Sequence, residues 1–139
     1  MGDSLGPTLK FRRATIEDSA LLLAWRNDPS TRANSVEREL VSSECHQEWL
    51  TNLFKNAQRT LLIAEFQGRP IGTIRADLDG TGCELSWTVA PDARGRGFGK
   101  AIVLAATAMF DRPIRARIRT ENEASAAIAE AAGFRRQSI

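Results

Sequence analysis

The sequence predicts an α/β protein of the α+β type, with a mixed, mostly antiparallel central sheet flanked by about four helices. Three observations carry this. Period-two stretches at Thr60–Phe66, Ile71–Ala76 and Cys83–Val89 follow one another across short turns, as consecutive antiparallel strands do. Amphipathic helical stripes lie before and after this block instead of alternating with each strand. Between Val89 and Lys100 the pattern changes from strand to helix across a loop holding Gly95, Gly97 and Gly99.

Taken in order, residues 1–8 (Met-Gly-Asp-Ser-Leu-Gly-Pro-Thr) read as a loose leader, and residues 9–139 as a single domain. Leu9–Arg13 is a short strand candidate. Thr15 and Asp18 have the spacing of a capping box, with Asp in place of the usual Glu. The helix behind them carries Leu21, Leu22, Leu23 and Trp25 and is expected to end at Pro29. Ser42 or Ser43 caps a second helix, whose expected inward face is Trp49, Leu50, Leu53 and Phe54. Gln67-Gly-Arg-Pro70 and Asp79-Gly-Thr-Gly82 are turn sequences, and each joins two of the strands. The third strand presents Leu85, Trp87 and Val89 on one face and Glu84, Ser86 and Thr88 on the other. Phe98, Ile102, Val103, Ala106, Met109 and Phe110 form one helical stripe that Pro113 stops. Ile114–Arg119 alternates as a further strand, Asn122–Ala132 is helical, and Gly133 stands where a C-terminal cap belongs. A last, short strand is expected from Phe134.

Composition excludes several function classes. A hydrophobic fraction of 42% and a charged fraction of 26% are those of a globular domain able to bury a core. A net charge of +2 is too small to demand nucleic acid or a membrane surface as partner. No apolar run is long enough to span a bilayer, and no signal-peptide pattern opens the chain, so a cytoplasmic enzyme domain is expected. Cys45 and Cys83 read as free, buried thiols. One histidine and two scattered cysteines give no metal site, so no metal is expected.

The glycine loop is suited to a diphosphate. Glycine lets backbone approach a ligand, and the first turn of a helix offers unpaired N–H groups at a positive dipole end. Arg94, Arg96 and Lys100 add full charges. A P-loop does not fit, because Arg94 stands at the first glycine position and Ala101 replaces the magnesium-binding hydroxyl. A dinucleotide fingerprint does not fit either, because the glycines are spaced Gly95-x-Gly97-x-Gly99 and follow three strands.

The pattern that remains is Arg-x-x-Gly-x-Gly, read as Arg94, Gly97 and Gly99 behind a strand and Ala90-Pro91. It resembles the acyl-CoA loop of the GNAT acetyltransferases, and the order of elements resembles that family along nearly the whole chain. The resemblance implies acetyl-CoA as co-substrate, bound through Arg94, Gly95, Arg96, Gly97, Phe98, Gly99 and Lys100 at a helix N-terminus. It implies pantetheine paired with the strand edge at Thr88 and Val89, and a backbone N–H there polarising the acetyl carbonyl. Asn122, Ser125 and Gly133-Phe134 follow the family pattern, in which the asparagine often bonds near pantetheine or substrate. One departure stands out. The family's usual tyrosine general acid corresponds to Ala129, and the chain has no tyrosine.

Trp25-Arg26-Asn27-Asp28-Pro29 and the later His46-Gln-Glu-Trp49 resemble one subgroup of the family. It holds acetyltransferases of nucleotide-linked amino sugars and, more loosely, of ribosomal-protein N-termini. Arg26, Asn27 and His46 are therefore candidate substrate-binding residues, with helix-end hydrogen bonding the structural alternative for the first two. Arg26, Arg32 and Arg38 are candidates to meet a substrate diphosphate. Glu84 is the candidate general base, acting through water, with a cross-strand ion pair to Arg75 as the structural alternative. The expected acceptor is the primary amine of a small molecule, with an amino-sugar nucleotide preferred. A protein N-terminal amine, or a non-catalytic CoA- or RNA-binding module, are the alternatives. Pairing into a homodimer, as many relatives do, stays open.

Overall fold

A computed structural model describes residues 8–34, 39–110 and 113–136. These residues form five strands and five α-helices. The order is β1 (Lys10–Arg13), α1 (Ser19–Asn27), α2 (Pro29–Asn34), α3 (Ser43–Phe54), β2 (Arg59–Phe66), β3 (Arg69–Asp79), β4 (Gly82–Val89), α4 (Phe98–Met109), β5 (Ile114–Arg115) and α5 (Glu123–Ala131). The leader up to residue 7, Arg38 and Arg112 lie outside the described residues.

The strands lie in the order β1-β2-β3-β4-β5. All neighbours are antiparallel except β4 and β5, which run parallel. Local chemistry explains the joints. Gln67 and Gly68 both have positive φ, 52° and 81°, the geometry of the two-residue turn that matches strand twist. The Thr15 N–H donates to Asp18 Oδ2 at 2.8 Å, closing the expected capping box. Ser42 Oγ accepts from Cys45 N–H and starts α3. Gly133, at φ 100°, ends α5, and the N–H behind it, that of Phe134, reaches back to Ala129 O at 2.9 Å.

The strand register sorts side chains into two faces. Thr60, Ala76 and Leu85 align across the sheet, as do Leu62, Ile74 and Trp87, and α4 packs over this face. Gly72 lies beneath it. A Cβ there would stand 2.5 Å from Thr88 O and 2.8 Å from Ile102 Cδ1, so only glycine lets α4 and β4 come this close. The other face carries Leu61, Arg75 and Ser86 in one row and Ile63, Thr73 and Thr88 in the next, beneath α1 and α3. Leu50, Leu53, Ile63, Ile74, Leu85, Ile102 and Val103 are the fully buried centre of the core.

Several expectations need correction. The first helix, α1, does end before Pro29, at Asn27, but Pro29 then opens the short α2, a position where a missing N–H costs nothing. The inward face of α3 is His46, Leu50 and Leu53, with Trp49 and Phe54 36% and 41% exposed. Met109 likewise leaves the buried stripe of α4. Cys45 is exposed, and only Cys83 is buried. The strand expected over Ile114–Arg119 pairs only at Ile114 and Arg115, and residues 134–136 form no strand.

Candidate active site

The short pairing of β5 creates the site. Only Cys83 and Glu84 face partners on it, Ile114 and Arg115, so β4 and the following chain part beyond that point. The Cys83 N–H donates to Pro113 O, whereas the Ala90 N–H donates to Ile71 O on the opposite side. Peptide groups alternate along a strand. Those of Trp87 and Val89 therefore face the gap, and that of Thr88 faces β3.

The glycine loop stands at the end of the same strand. Gly95 and Gly97 have φ of 77° and 83°, and Gly97 is the N-cap of α4. No side chain caps this helix and its first turn holds no acidic residue, whereas Ser42 caps α3 and Asn122 caps α5. The first-turn N–H groups are thus open to an outside acceptor. A Cβ at Gly95 or Gly97 would meet nothing within 4 Å, so these two glycines serve the backbone turn and leave the approach clear. The Arg96 guanidinium lies 5.0 Å from the Phe98 ring and 6.0 Å from Phe66, which holds its charge beside the loop. Lys100 is exposed. Arg94 has protein partners of its own. It donates to Asp28 Oδ2 at 3.1 Å and Thr31 Oγ1 at 2.8 Å, tying the loop to the junction of α1 and α2. The Thr31 N–H and then Arg94 hold the Asp28 carboxyl below its ordinary value.

A cavity of about 570 Å³ opens from the gap onto the face under α1 and α3. Arg26, His46, Trp49, Arg75, Glu84 and Thr88 are in its wall, with Ser86, Arg117, Asn122 and Ser125 toward the gap. Glu84 has a side chain 16% exposed, and its two oxygens meet Arg115 Nε at 3.6 Å and Arg117 Nε at 3.1 Å. The pair with Arg75 does not form, because the register sets Glu84 opposite Asp77 and Arg75 opposite Ser86. His46 is 5% exposed, and its Nδ1 is buried without a hydrogen-bond partner. Burial, with a smaller contribution from the Arg26 charge, pushes its pKa down from 6.5.

Two other candidates have structural work. The Asn27 amide donates to Val41 O at 2.8 Å and accepts from Val41 N–H at 2.9 Å, strapping α1 to the chain before α3. It is not part of the cavity wall. Asn122 lines the cavity while its Oδ1 accepts from Ser125 N–H at 3.1 Å. Arg32 Nε donates to Asn27 O at 3.2 Å, beside the same junction. Trp25 is a core residue, 7% exposed, whose edge reaches the cavity.

Sequence reasoning missed Arg75 as a cavity residue. It lies 5.7 Å from the Trp49 ring, and Arg59 lies 5.8 Å from the same ring. The available signal was its place in the same face row as Ser86, which only the register supplies. Arg117, within the stretch expected to be a strand, meets Glu84 at the gap. Among the described residues no three His, Cys, Asp or Glu side chains converge as metal ligands. No helix there is long and apolar enough to cross a membrane.

The fold that holds this site is shared with known proteins. Residues 8–135 match the family described as the Acetyltransferase (GNAT) domain, so the chain belongs to the GNAT family and is an acetyltransferase. Comparison with curated proteins gives no match. Among solved structures, the aminoglycoside acetyltransferase AAC(6')-Ib in complex with ribostamycin and coenzyme A is 22% identical, with a TM-score of 0.83 over 94% of this chain and 84% of that one. Spermidine N-acetyltransferase from Vibrio cholerae, in complex with CoA and spermine, is 18% identical, with a TM-score of 0.85 over 94% and 82%. An acetyltransferase from Thermus thermophilus is 25% identical, with a TM-score of 0.78 over 92% and 87%. The named neighbours act on aminoglycosides and spermidine, so the expected amino-sugar nucleotide or ribosomal subgroup finds no support among them.

Proposed function

We propose that this protein transfers the acetyl group of acetyl-CoA directly to a primary amine of a small molecule, with an amino-sugar nucleotide as the preferred acceptor. The observation that carries the reading is the cavity. It joins the gap beside Trp87 to a concave space under α1 and α3, with Glu84 in its wall. A concave pocket of this volume suits a small molecule.

The residues present fit the co-substrate. The uncapped first turn of α4 and the positive-φ glycines form an anion cradle, supported by the Arg96 charge. When bound, acetyl-CoA supplies an acetyl thioester, an activated acyl group. The Trp87 and Val89 peptides line the gap in β4 as an added strand would require, and a peptide N–H here is the donor for the carbonyl oxygen. Glu84 takes the proton the amine must lose, through a bridging water. Arg115 and Arg117 hold the carboxylate in place and leave it lone pairs for that water. With Ala129 where the family commonly has a tyrosine, water or another group gives the leaving thiolate its proton.

Calorimetric titration with acetyl-CoA, for wild type and Arg96→Ala, tests the reading. Micromolar binding weakened by the substitution supports it and opens a screen of amino-sugar nucleotides. No binding of acetyl-CoA or CoA sinks it.

A further inference from the structure

We infer that the acceptor carries an anionic group, a carboxylate or phosphate, in addition to its amine, and that Arg75 with Arg26 holds that group. This rests on the proposed amine acetylation and assigns the residues that meet the acceptor's negative charge. Among the described residues lining the cavity, the full charges are the guanidinium groups of Arg26, Arg75 and Arg117 and the single carboxylate of Glu84. Arg117 meets Glu84 at 3.1 Å, beside the gap. Arg26 comes from α1 and Arg75 from β3.

Arg75 is set as a recognition group. The Trp49 ring lies 5.7 Å from its guanidinium carbon and restricts its plane. Its one carboxylate neighbour, Asp77, stands 3.2 Å from Nε, but the contact is not aligned as a hydrogen bond, and Nε is buried without one. Asp77 is also shared, since Arg59 Nε donates to its Oδ1 at 3.0 Å. Two guanidinium groups on one carboxylate leave net positive charge, and a planar fork with a free donor suits a carboxylate or phosphate. His46 adds no charge near neutrality, because burial and Arg26 favour its neutral form.

An amine seated near Glu84, with a negative group toward Arg75 and Arg26, satisfies both ends of the cavity. A polyamine or aminoglycoside would set ammonium groups against those guanidinium groups, with no carboxylate of the wall except Glu84 to receive them. This chain is therefore set apart from the neighbours named for such polycations.

The test uses matched probes on the CoA-saturated protein. Glucosamine and glucosamine 6-phosphate share an amine and differ in one phosphate. Glycylglycine and its C-terminal amide share an amine and differ in one carboxylate. Spermidine is the polycation. Calorimetry is expected to show at least one anionic member binding about tenfold or more tighter than its neutral partner, with spermidine weaker still. The phosphate and carboxylate arms tell the two anions apart. In Arg75→Gln the preference collapses and in Arg75→Lys it partly returns, while acetyl-CoA affinity holds in both. Equal binding within both pairs, tighter spermidine binding, or no probe binding overturns the inference even if the variants fail to fold. Acetyl-CoA binding, read in the same instrument, reports separately on the acetyltransferase reading.

Discussion

Glu84 sits between two guanidinium groups and the cavity, and this fixes what its loss should do. Glu84→Gln keeps the size of the side chain but removes the base and one of the two acceptors that face Arg115 and Arg117. The rate constant kcat is expected to fall by roughly 10²-fold or more, with acetyl-CoA affinity little changed. Steady-state kinetics beside calorimetry checks the split, and an unaltered kcat removes Glu84 from the mechanism. His46 gives a second outcome. Its folded pKa lies below the ordinary 6.5, so the unfolded chain binds the proton first. The stabilising contribution is present above the unfolded pKa and is lost as pH falls below it. Denaturation at pH 7.5 and 5.5 should show a loss of stability that His46→Gln reduces, and no other histidine confuses the window. Both residues were legible in the sequence as candidates. Their surroundings were not, because Arg26, Arg75 and Arg117 arrive from three elements far apart in the chain.

At the scale of elements, caps and turns were read correctly where the chemistry is local. Ser42, the Thr15–Asp18 box and Gly133 all act within a few residues of themselves. Strand pairing was over-read. Alternation over Ile114–Arg119 reports a pleat with two environments, but says nothing of whether a neighbour comes within hydrogen-bonding distance. Here β4 parts from that chain after Glu84, and the unpaired stretch becomes the gap. The rotation of α3 was missed for a related reason. Periodicity finds an apolar stripe, yet Trp49 is amphipathic and packs against Arg59 and Arg75, while His46 takes the buried place. Asn122 tests an element directly. Asn122→Ala removes the N-cap of α5 and is expected to cost about 1 kcal/mol in urea denaturation. A fall in acetyl-CoA affinity beyond that would add a ligand contact to its capping role.

For the whole molecule, the site is a seam in the sheet. Across β4 and β5 only two register pairs are present, joined by the Glu84 ion pairs and by α4 packing on α5. A ligand that fills the gap should therefore stabilise the fold in proportion to its binding. At a hundredfold excess over Kd, acetyl-CoA is expected to add about 2.7 kcal/mol, or roughly 10 °C in Tm for a domain of this size. Differential scanning fluorimetry reads this, and Arg96→Ala should need more ligand for the same shift. The family was legible because one loop concentrates its signal in the stretch from Arg94 to Lys100. The acceptor was not, because its pocket exists only once α1, α3 and the sheet have met.

Cys45 stands in the cavity wall, exposed, next to His46, while Cys83 is sealed in the core. The chain thus carries a chemical handle at the mouth of the acceptor space and no competing thiol at the surface. A maleimide dye should label the native protein once, at Cys45. A true acceptor slows that labelling even when its turnover is too slow to detect, so the thiol converts substrate discovery into a protection experiment. If saturating acceptor leaves the labelling rate unchanged, that molecule binds elsewhere.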